Sequence, residues 1–255
     1  MEEALTVILG LIVGSFLNVV ICRMPQGKSV VLPASHCPRC DAAIPFYDNV
    51  PLLSYALLRG RCRSCRGRIS PRYPLIEALV ALGFWLSHHS FGLTLHAAAS
   101  AAFLSLLIAL AAIDLEHMVL PDELTLGGAL LFLAYAFVHP GIKWWEAVSS
   151  GLGGALFFAL LYVFYLKVRK IEGLGFGDVK MALMMGLFLG LRRLVVAVML
   201  ASFSGLLVGL FFIVFRKKNL KLALPFGPFL ALGSAVSLFC GEAILAWIAT
   251  LWIRA

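Results

Sequence analysis

Residues 194 to 215 read LVVAVMLASFSGLLVGLFFIVF, an apolar run that reaches from Leu194 to Phe215 without a charged residue. A helix of about 20 apolar residues spans the roughly 30 Å hydrocarbon core of a bilayer. The run is apolar on every face, whereas the strands of an outer-membrane barrel alternate apolar and polar residues. The whole chain is 62% hydrophobic and only 13% charged. This stretch and the composition therefore predict an all-α polytopic membrane protein.

Further apolar runs of similar character predict about eight transmembrane helices in total. The runs are residues 4–22, 74–91, 95–113, 124–138, 147–166, 179–191, 194–215 and 226–253. The run 179–191 is short for a full crossing, so we expect it to be tilted or extended by its neighbours. The first run lacks the basic segment that precedes the apolar part of a cleaved signal peptide, so we expect it to be retained.

Positive charge is concentrated in the polar insert between the first two runs. Residues 23–73 hold nine Lys or Arg and two acidic residues, in a chain with a formal net charge of +8. A basic block can indicate nucleic-acid binding, but in a membrane protein it is typical of a cytoplasmic loop. Loops on the side of the insert hold sixteen Lys or Arg, and those on the other side hold four. We therefore predict a cytoplasmic-membrane protein, surrounded by lipid, with a cytoplasmic insert, an external N-terminus and no nucleic-acid partner.

The insert contains two CxxC pairs separated by 21 residues, which are Cys37 and Cys40, then Cys62 and Cys65. This spacing is typical of four-thiolate zinc sites. Two disulfides are the alternative explanation, but a cytoplasmic location favours the metal. Four thiolates leave the metal no open position, so we predict a structural Zn²⁺ that helps an insert of about 50 residues to fold. The isolated Cys22 and Cys240 lie in apolar runs, where we expect both to be buried.

Acidic residues near the ends of apolar runs are the candidates for chemistry. Asp114 ends the third run and Asp178 opens the sixth, and the predicted topology places both at the cytoplasmic face. Two carboxyl groups brought within a few ångströms cannot both ionise easily, so one can act as a base towards water while the other donates a proton. Such a pair can hydrolyse an amide bond. Glycines at 173, 175 and 177 would let backbone and substrate approach Asp178 closely.

Structural explanations stand beside this hypothesis. A single Asp at a membrane border is often a helix cap, and Asp122 fits that role at the start of the fourth run. Lys180 lies on a different helix face from Asp178, so we expect it to extend to the interface. Glu77 and Glu242 are compatible with structural hydrogen bonding or with a polar pathway. The residues alone therefore leave open which carboxylates react.

Short motifs spread over nearly the whole chain carry a more specific signal. They are GSFLNVVI at 14–21, CPRC at 37–40, YDNVPLLSY at 47–55, LRGRCRSC at 58–65, SPRYPLIE at 70–77, ID with LPD at 113–122, GFGDVK at 175–180 and PFGPF at 225–229. This set resembles the bacterial prepilin peptidase family. Its members are bifunctional leader peptidases and N-methyltransferases of type IV pilus and type II secretion systems.

The resemblance implies an aspartic endopeptidase of the GxGD type whose catalytic residues are Asp114 and Asp178, and it favours Asp114 over Asp122. It implies type IV prepilins or type II secretion pseudopilins as substrates, cut after a Gly at the cytoplasmic membrane face. It also implies methylation of the new N-terminus with S-adenosyl-L-methionine, a step for which no residue is assigned. Glu116, Asp41 and Ala78 depart from the residues common in the family, although none is a catalytic or metal position.

The implied division of the chain is a first transmembrane helix over 1–22, a cytoplasmic zinc-binding insert over 23–73 and a membrane-embedded peptidase domain over 74–255. Two other functions remain as alternatives. A polytopic transporter would use the ionisable residues as a path through the membrane. A non-enzymatic assembly scaffold would use the insert to dock a partner of the pilus or secretion machinery.

Overall fold

A computed structural model describes residues 1–139, 143–169, 175–216 and 224–254. These residues form α-helices joined mostly by short segments; the longest connection lies between α1 and α2 and contains the 3₁₀ helices Met24–Gln26 and Phe46–Asn49. The helices are α1 (Glu2–Arg23), α2 (Leu53–Leu57), α3 (Arg72–Phe91), α4 (Leu95–His117), α5 (Asp122–Val138), α6 (Trp144–Phe164), α7 (Phe176–Arg216) and α8 (Gly227–Arg254). Lys170, Lys217, Lys218 and Lys221 of the charge count, and Gly173 of the glycine series, lie outside the described residues.

Helices occupy all eight predicted apolar runs, which confirms the all-α membrane fold. Five of them, α1, α4, α6, α7 and α8, are long and apolar enough to cross a membrane. Two do not reach this standard by themselves. Helix α5 has only 17 residues, and α3 is less apolar because it contains His88 and His89 besides Arg72 and Glu77. The 41-residue α7 contains two predicted runs and is interrupted at Gly190, where φ is 73° and ψ is 168°. Glycine is the residue that takes such a conformation without strain.

The chain divides into two compact units, of which the first is Met1–Ala109. It contains α1, the insert with α2, α3 and most of α4. Helices α1 and α3 pack closely at two glycines of α1. A Cβ atom at Gly10 would lie 2.7 Å from Cα of Ala81, and one at Gly14 would lie 2.7 Å from Cα of Glu77. Small residues at this spacing allow membrane helices to approach each other closely.

The second unit is Leu110–Ala255 and holds the end of α4 with α5 to α8. Helix α7 packs against α5, α6 and α8. Its contact with α6 is close, because a Cβ atom at Gly186 would lie 2.6 Å from the carbonyl oxygen of Ser150. The side chains of Met181, Ala182 and Met185 are fully buried. The first half of α7 is therefore the core of this unit and fixes the position of Asp178 at its start.

Candidate active site

Asp114 and Asp178 are brought together in the second unit. Asp114 lies in the last turn of α4, and Asp178 is the third residue of α7. Their exposed fractions are 6% and 5%, so both carboxyl groups are removed from bulk solvent. The two carboxyl groups lie close enough to interact electrostatically. Two residues 64 positions apart in sequence thus form one buried carboxyl pair.

The carboxyl group of Asp178 is oriented by its own helix terminus. Its Oδ2 atom accepts the backbone N–H of Gly175 at 3.1 Å, and its backbone N–H donates to the carbonyl oxygen of Gly175 at 3.1 Å. The bond from the N-cap N–H to the side chain of the third helical residue is one half of a capping box; because residue 175 is glycine, the return bond is accepted by its backbone carbonyl. The start of α7 therefore fixes one oxygen of Asp178.

The carboxyl group of Asp114 is oriented by a different helix. The backbone N–H of Gly227, the first residue of α8, donates to Oδ2 of Asp114 at 2.9 Å, and this bond is buried. The first N–H groups of a helix lack partners within the helix, so a carboxylate is a natural acceptor for them. A Cβ atom at Gly227 would lie 2.7 Å from the same Oδ2 atom. Only glycine fits at this position without displacing Asp114.

Leu120 packs against the glycines at the starts of α7 and α8, next to the two aspartates. Its side chain is buried. A Cβ atom at Gly177 would lie 2.8 Å from Cβ of Leu120, and one at Gly227 would lie 3.3 Å from its Cδ2 atom. The segment between α4 and α5 therefore packs against the starts of both α7 and α8. Sequence reasoning named the PFGPF and LPD segments only as motifs and missed these positioning roles.

Asp122 has a partner that the sequence did not reveal. Its carboxylate forms an ion pair with Nζ of Lys180 on α7, and the same Nζ atom lies 5.5 Å from the centre of the Phe176 ring. The expectation that Asp122 caps α5 was wrong, because Pro121 occupies the N-cap position and no side chain caps this helix. The pair links residues 58 positions apart, a separation at which helix periodicity carries no information.

Glu77 and Glu242 both make structural contacts. In the first unit, Oε2 of Glu77 accepts the backbone N–H of Leu52 at 2.8 Å. In the second unit, Oε1 of Glu242 lies 3.4 Å from Nε of Arg193. Each acid is therefore held by a nearby donor.

The four cysteines of the insert converge. Their sulfur atoms all lie within 4.8 Å of one another, and those of Cys37 and Cys65 are 3.9 Å apart. Zn–S bonds of about 2.3 Å in a tetrahedron place the sulfurs about 3.8 Å apart. All six cysteines of the chain are free thiols. The cluster Cys37, Cys40, Cys62 and Cys65 could thus hold a metal ion.

The two CxxC turns share one backbone geometry. The N–H of Cys37 donates to the carbonyl of Ala42 at 2.9 Å, and that of Cys62 donates to Gly67 at 2.8 Å. The residue after each second cysteine, Asp41 or Arg66, has a φ of 56°. Backbone N–H groups of Arg39 and Cys40 lower the pKa of Cys37 to about 6. Despite a backbone hydrogen bond from Ala42, the neighbouring sulfurs of Cys65 and Cys37 raise the pKa of Cys40 to about 11. Closely spaced thiols therefore oppose one another's ionisation unless a cation balances their charge.

The expectation that Cys22 and Cys240 are both buried was wrong. Cys22 is half-buried and Cys240 is exposed on α8. The sulfur of Cys22 accepts a hydrogen bond from Nη2 of Arg72. Lipid is as apolar as a protein interior, so moving an apolar side chain from lipid into protein gives no hydrophobic free energy. A cysteine within an apolar run can therefore face lipid as readily as protein.

The sequence is similar to known protein families over most of its length. Residues 8–91 match the bacterial peptidase A24 N-terminal domain, and residues 101–210 match the type IV leader peptidase family. A prepilin leader peptidase/N-methyltransferase of Aeromonas hydrophila is 34% identical, in an alignment that covers 97% of this chain and 93% of the relative. The chain belongs to the type IV leader peptidase family.

Two further relatives are also prepilin leader peptidase/N-methyltransferases. The protein from Pseudomonas aeruginosa is 35% identical, with 94% of this chain and 90% of the relative covered. The protein from Myxococcus xanthus is 42% identical over 203 residues, which are 80% of this chain and 61% of that relative. No solved structure matches the chain.

Proposed function

We propose that this protein cleaves the leader peptide of type IV prepilins or type II secretion pseudopilins and methylates the amino group that cleavage exposes. One observation carries the peptidase part, namely the buried pair of Asp114 and Asp178 with a glycine N–H on each carboxyl group. The names of the relatives support both activities.

The carboxyl pair accounts for hydrolysis of an amide bond. The charged member of the pair takes a proton from a water molecule, whose oxygen attacks the carbonyl carbon. The protonated member donates a hydrogen bond to the carbonyl oxygen and then a proton to the leaving amine. The N–H groups of Gly175 and Gly227 hold one oxygen of each carboxyl group. Such fixed orientation is what makes proton transfer effective.

The substrate suits a site at the membrane surface. A prepilin has a short basic leader followed by an apolar helix, so its scissile bond lies where the helix leaves the bilayer. The segment 114–123 contains four acidic residues and no Lys or Arg. Asp114 belongs to the buried carboxyl pair and Asp122 pairs with Lys180. The exposed Glu116 and Glu123 are therefore the negative charges that would attract a basic leader.

The location that we propose is the cytoplasmic membrane, with the insert and the carboxyl pair on the cytoplasmic side. The excess of Lys and Arg in residues 23–73 supports this side. Trypsin should therefore cut the insert in inverted membrane vesicles and leave it intact in spheroplasts. Cutting in intact spheroplasts would contradict the proposed orientation.

The cysteine cluster supports a structural Zn²⁺ held by Cys37, Cys40, Cys62 and Cys65. Zinc with four thiolate ligands supplies folding free energy rather than a reactive water, because it has no open position. The metal would therefore stabilise the insert, while hydrolysis depends on the aspartates.

The test uses a purified prepilin, S-adenosylmethionine and membranes that contain the protein. Mass spectrometry of the product should show loss of the leader and an added methyl group on the new N-terminus. Membranes from cells that lack the protein are the control. Intact prepilin after incubation would overturn the peptidase proposal, and a cleaved but unmethylated product would overturn the methyltransferase part alone.

A further inference from the structure

The short helix α2 exposes an apolar face although it belongs to the polar insert. Leu53 and Leu57, about one helical turn apart, are 56% and 73% exposed, and Ala56 on the same face is exposed too. The opposite face is buried at Ser54. A helix that faces water has the reverse pattern, with polar residues outside and apolar residues inside. The outer face of α2 therefore indicates contact with an apolar medium.

The register of α1 against α3 measures the depth of this region in the membrane. Nδ2 of Asn18 donates to the carbonyl oxygen of Tyr73 at 3.1 Å, and a Cβ atom at Gly14 would lie 2.7 Å from Cα of Glu77. The apolar run 4–22 of α1 is just long enough to span the hydrocarbon core, so its ends lie near the two membrane surfaces. Gly14 precedes the end of this run by eight residues. At the rise of an α-helix, Glu77 is therefore about 12 Å below the membrane surface.

Glu77 ties the start of α2 to this depth. Its side chain is buried, and its Oε2 atom accepts the backbone N–H of Leu52, the residue before α2, at 2.8 Å. A backbone N–H group at membrane depth has no water to bond, so the protein must supply its acceptor. The carboxyl group of Glu77 is the acceptor that allows the chain to reach this level.

Ser54 satisfies the backbone that leads into α2. Its Oγ atom accepts the N–H of Val50 at 3.2 Å and donates to the carbonyl oxygen of Tyr47 at 3.0 Å. The N–H of Ser54 donates to the carbonyl oxygen of Val50 at 3.0 Å. Pro51, between Val50 and Leu52, has no N–H that would need a partner. The segment before α2 thus has the paired backbone that a membrane-inserted segment requires.

Positive charges follow the apolar face directly. Arg59 and Arg61 are exposed and come two and four residues after Leu57. Anionic headgroups at the surface of a leaflet attract such charges. The basic leader of a prepilin would instead be repelled by them. Charge complementarity therefore favours an anionic lipid surface over the substrate as the partner of this face.

We infer that α2 is inserted into the bilayer surface, with Leu53 and Leu57 among the acyl chains and Arg59 and Arg61 at anionic headgroups. The insert then has an anchor of its own in the membrane besides α1 and α3. Because Cys62 follows Arg61 directly, this anchor also holds the cysteine cluster close to the membrane. The choice of the cytoplasmic leaflet rests on the orientation proposed above, whereas the insertion of α2 depends neither on that orientation nor on the peptidase activity.

The test places photoreactive benzoylphenylalanine at position 53 or 57 of the full-length protein in phosphatidylglycerol nanodiscs. After ultraviolet irradiation, mass spectrometry of tryptic peptides measures the lipid attached at each position. Position 66 is the control, because Arg66 is exposed in the second CxxC turn. We expect lipid attachment at positions 53 and 57 to exceed that at position 66 by about tenfold or more, since acyl chains are confined to the hydrocarbon core.

The role of the arginines is tested with the label at position 57. Attachment should be greater in phosphatidylglycerol than in phosphatidylcholine nanodiscs, and the double variant Arg59→Gln, Arg61→Gln should remove that difference. Equal attachment in the two lipids without these substitutions would overturn the contact with anionic headgroups.

Each labelled protein is first matched to the unlabelled protein in zinc content and tryptic pattern, so that only folded protein is scored. Lipid attachment at positions 53 and 57 well above that at position 66 would support the insertion of α2. Attachment no greater than at position 66, or crosslinks to other peptides of the protein in place of lipid, would overturn it. Leader cleavage is assayed separately, so failure of the peptidase proposal would not be mistaken for failure of this inference.

Discussion

The backbone N–H of Gly227 donates to Oδ2 of Asp114 at 2.9 Å, across 113 residues of sequence. A matching bond joins Gly175 to Asp178 at 3.1 Å. Each aspartate thus accepts an N–H from a residue at the start of a helix. The starts of α7 and α8 set the geometry of the pair, and their glycines leave the space that the carboxyl groups occupy.

Gly227→Ala should abolish leader cleavage, or lower its rate at least about tenfold, while the protein remains folded. The added Cβ atom would lie 2.7 Å from Oδ2 of Asp114, which must then move, and small displacements of catalytic groups cost large factors in rate. Gly153→Ala on α6 is the control, since a Cβ atom there meets nothing within 4 Å. Wild-type cleavage by Gly227→Ala would show that this bond does not position Asp114.

The Lys180–Asp122 ion pair should contribute to stability and little to chemistry. The Asp122 side chain is 60% exposed, and pairs of this kind contribute about 1 kcal/mol or less. We expect Asp122→Asn to lower the unfolding temperature by a few degrees and to retain cleavage. Lys180→Gln should have the same effect, and the double variant should be no worse than either single one. A complete loss of cleavage in Asp122→Asn would contradict this role.

Removal of zinc should unfold the insert. We expect one Zn²⁺ per chain, measured by mass spectrometry of the metal content, and its loss in Cys37→Ser. Chelation should increase the rate at which trypsin cuts residues 23–73. Cys240→Ser is the control because Cys240 is exposed on α8, away from the cluster in sequence. Full protection of the metal-free insert would contradict a structural role.

The Asp48–Arg63 pair should stabilise the insert over a wide pH range. The pKa of Asp48 is lowered by hydrogen bonds from Arg63, and the pKa of Arg63 is raised by Asp48. Both groups therefore stay charged from about pH 5 to pH 8, above the ordinary Asp pKa of about 3.9. The contribution is lost only as the pH falls through the lowered pKa of Asp48.

Asp48→Asn should accordingly make the insert more sensitive to trypsin by a factor that is constant between pH 5 and 8. Asp41→Asn is the control, because it also removes one carboxylate from the insert. The Asp41 side chain is 91% exposed and lies 3.7 Å from a histidine nitrogen, so its loss should change the trypsin sensitivity little. A difference between Asp48→Asn and wild type that vanishes by pH 6 would contradict the lowered pKa.

The sequence allowed the helices to be predicted because apolar runs reveal membrane helices directly. It also indicated the cysteine cluster, because thiolate zinc sites have a fixed local spacing. The break at Gly190 lies near the end of the predicted run 179–191, just before the predicted run 194–215 begins. These features depend on residues close together in the chain.

Long-range partners could not be predicted in the same way. The Gly227–Asp114 bond and the Lys180–Asp122 pair join residues 113 and 58 positions apart, and neither follows from helix periodicity. The Leu52–Glu77 bond ties the insert to α3, so no single motif contains it.

The most direct test of the proposed carboxyl pair is leader cleavage of a full-length prepilin by membranes with matched amounts of wild type, Asp114→Asn, Asp178→Asn or Asp122→Asn. Asparagine keeps the size of each side chain but cannot transfer the proton. We predict that Asp114→Asn and Asp178→Asn lose cleavage while Asp122→Asn retains it. Cleavage by Asp114→Asn or Asp178→Asn at the wild-type rate would contradict the assignment of this pair.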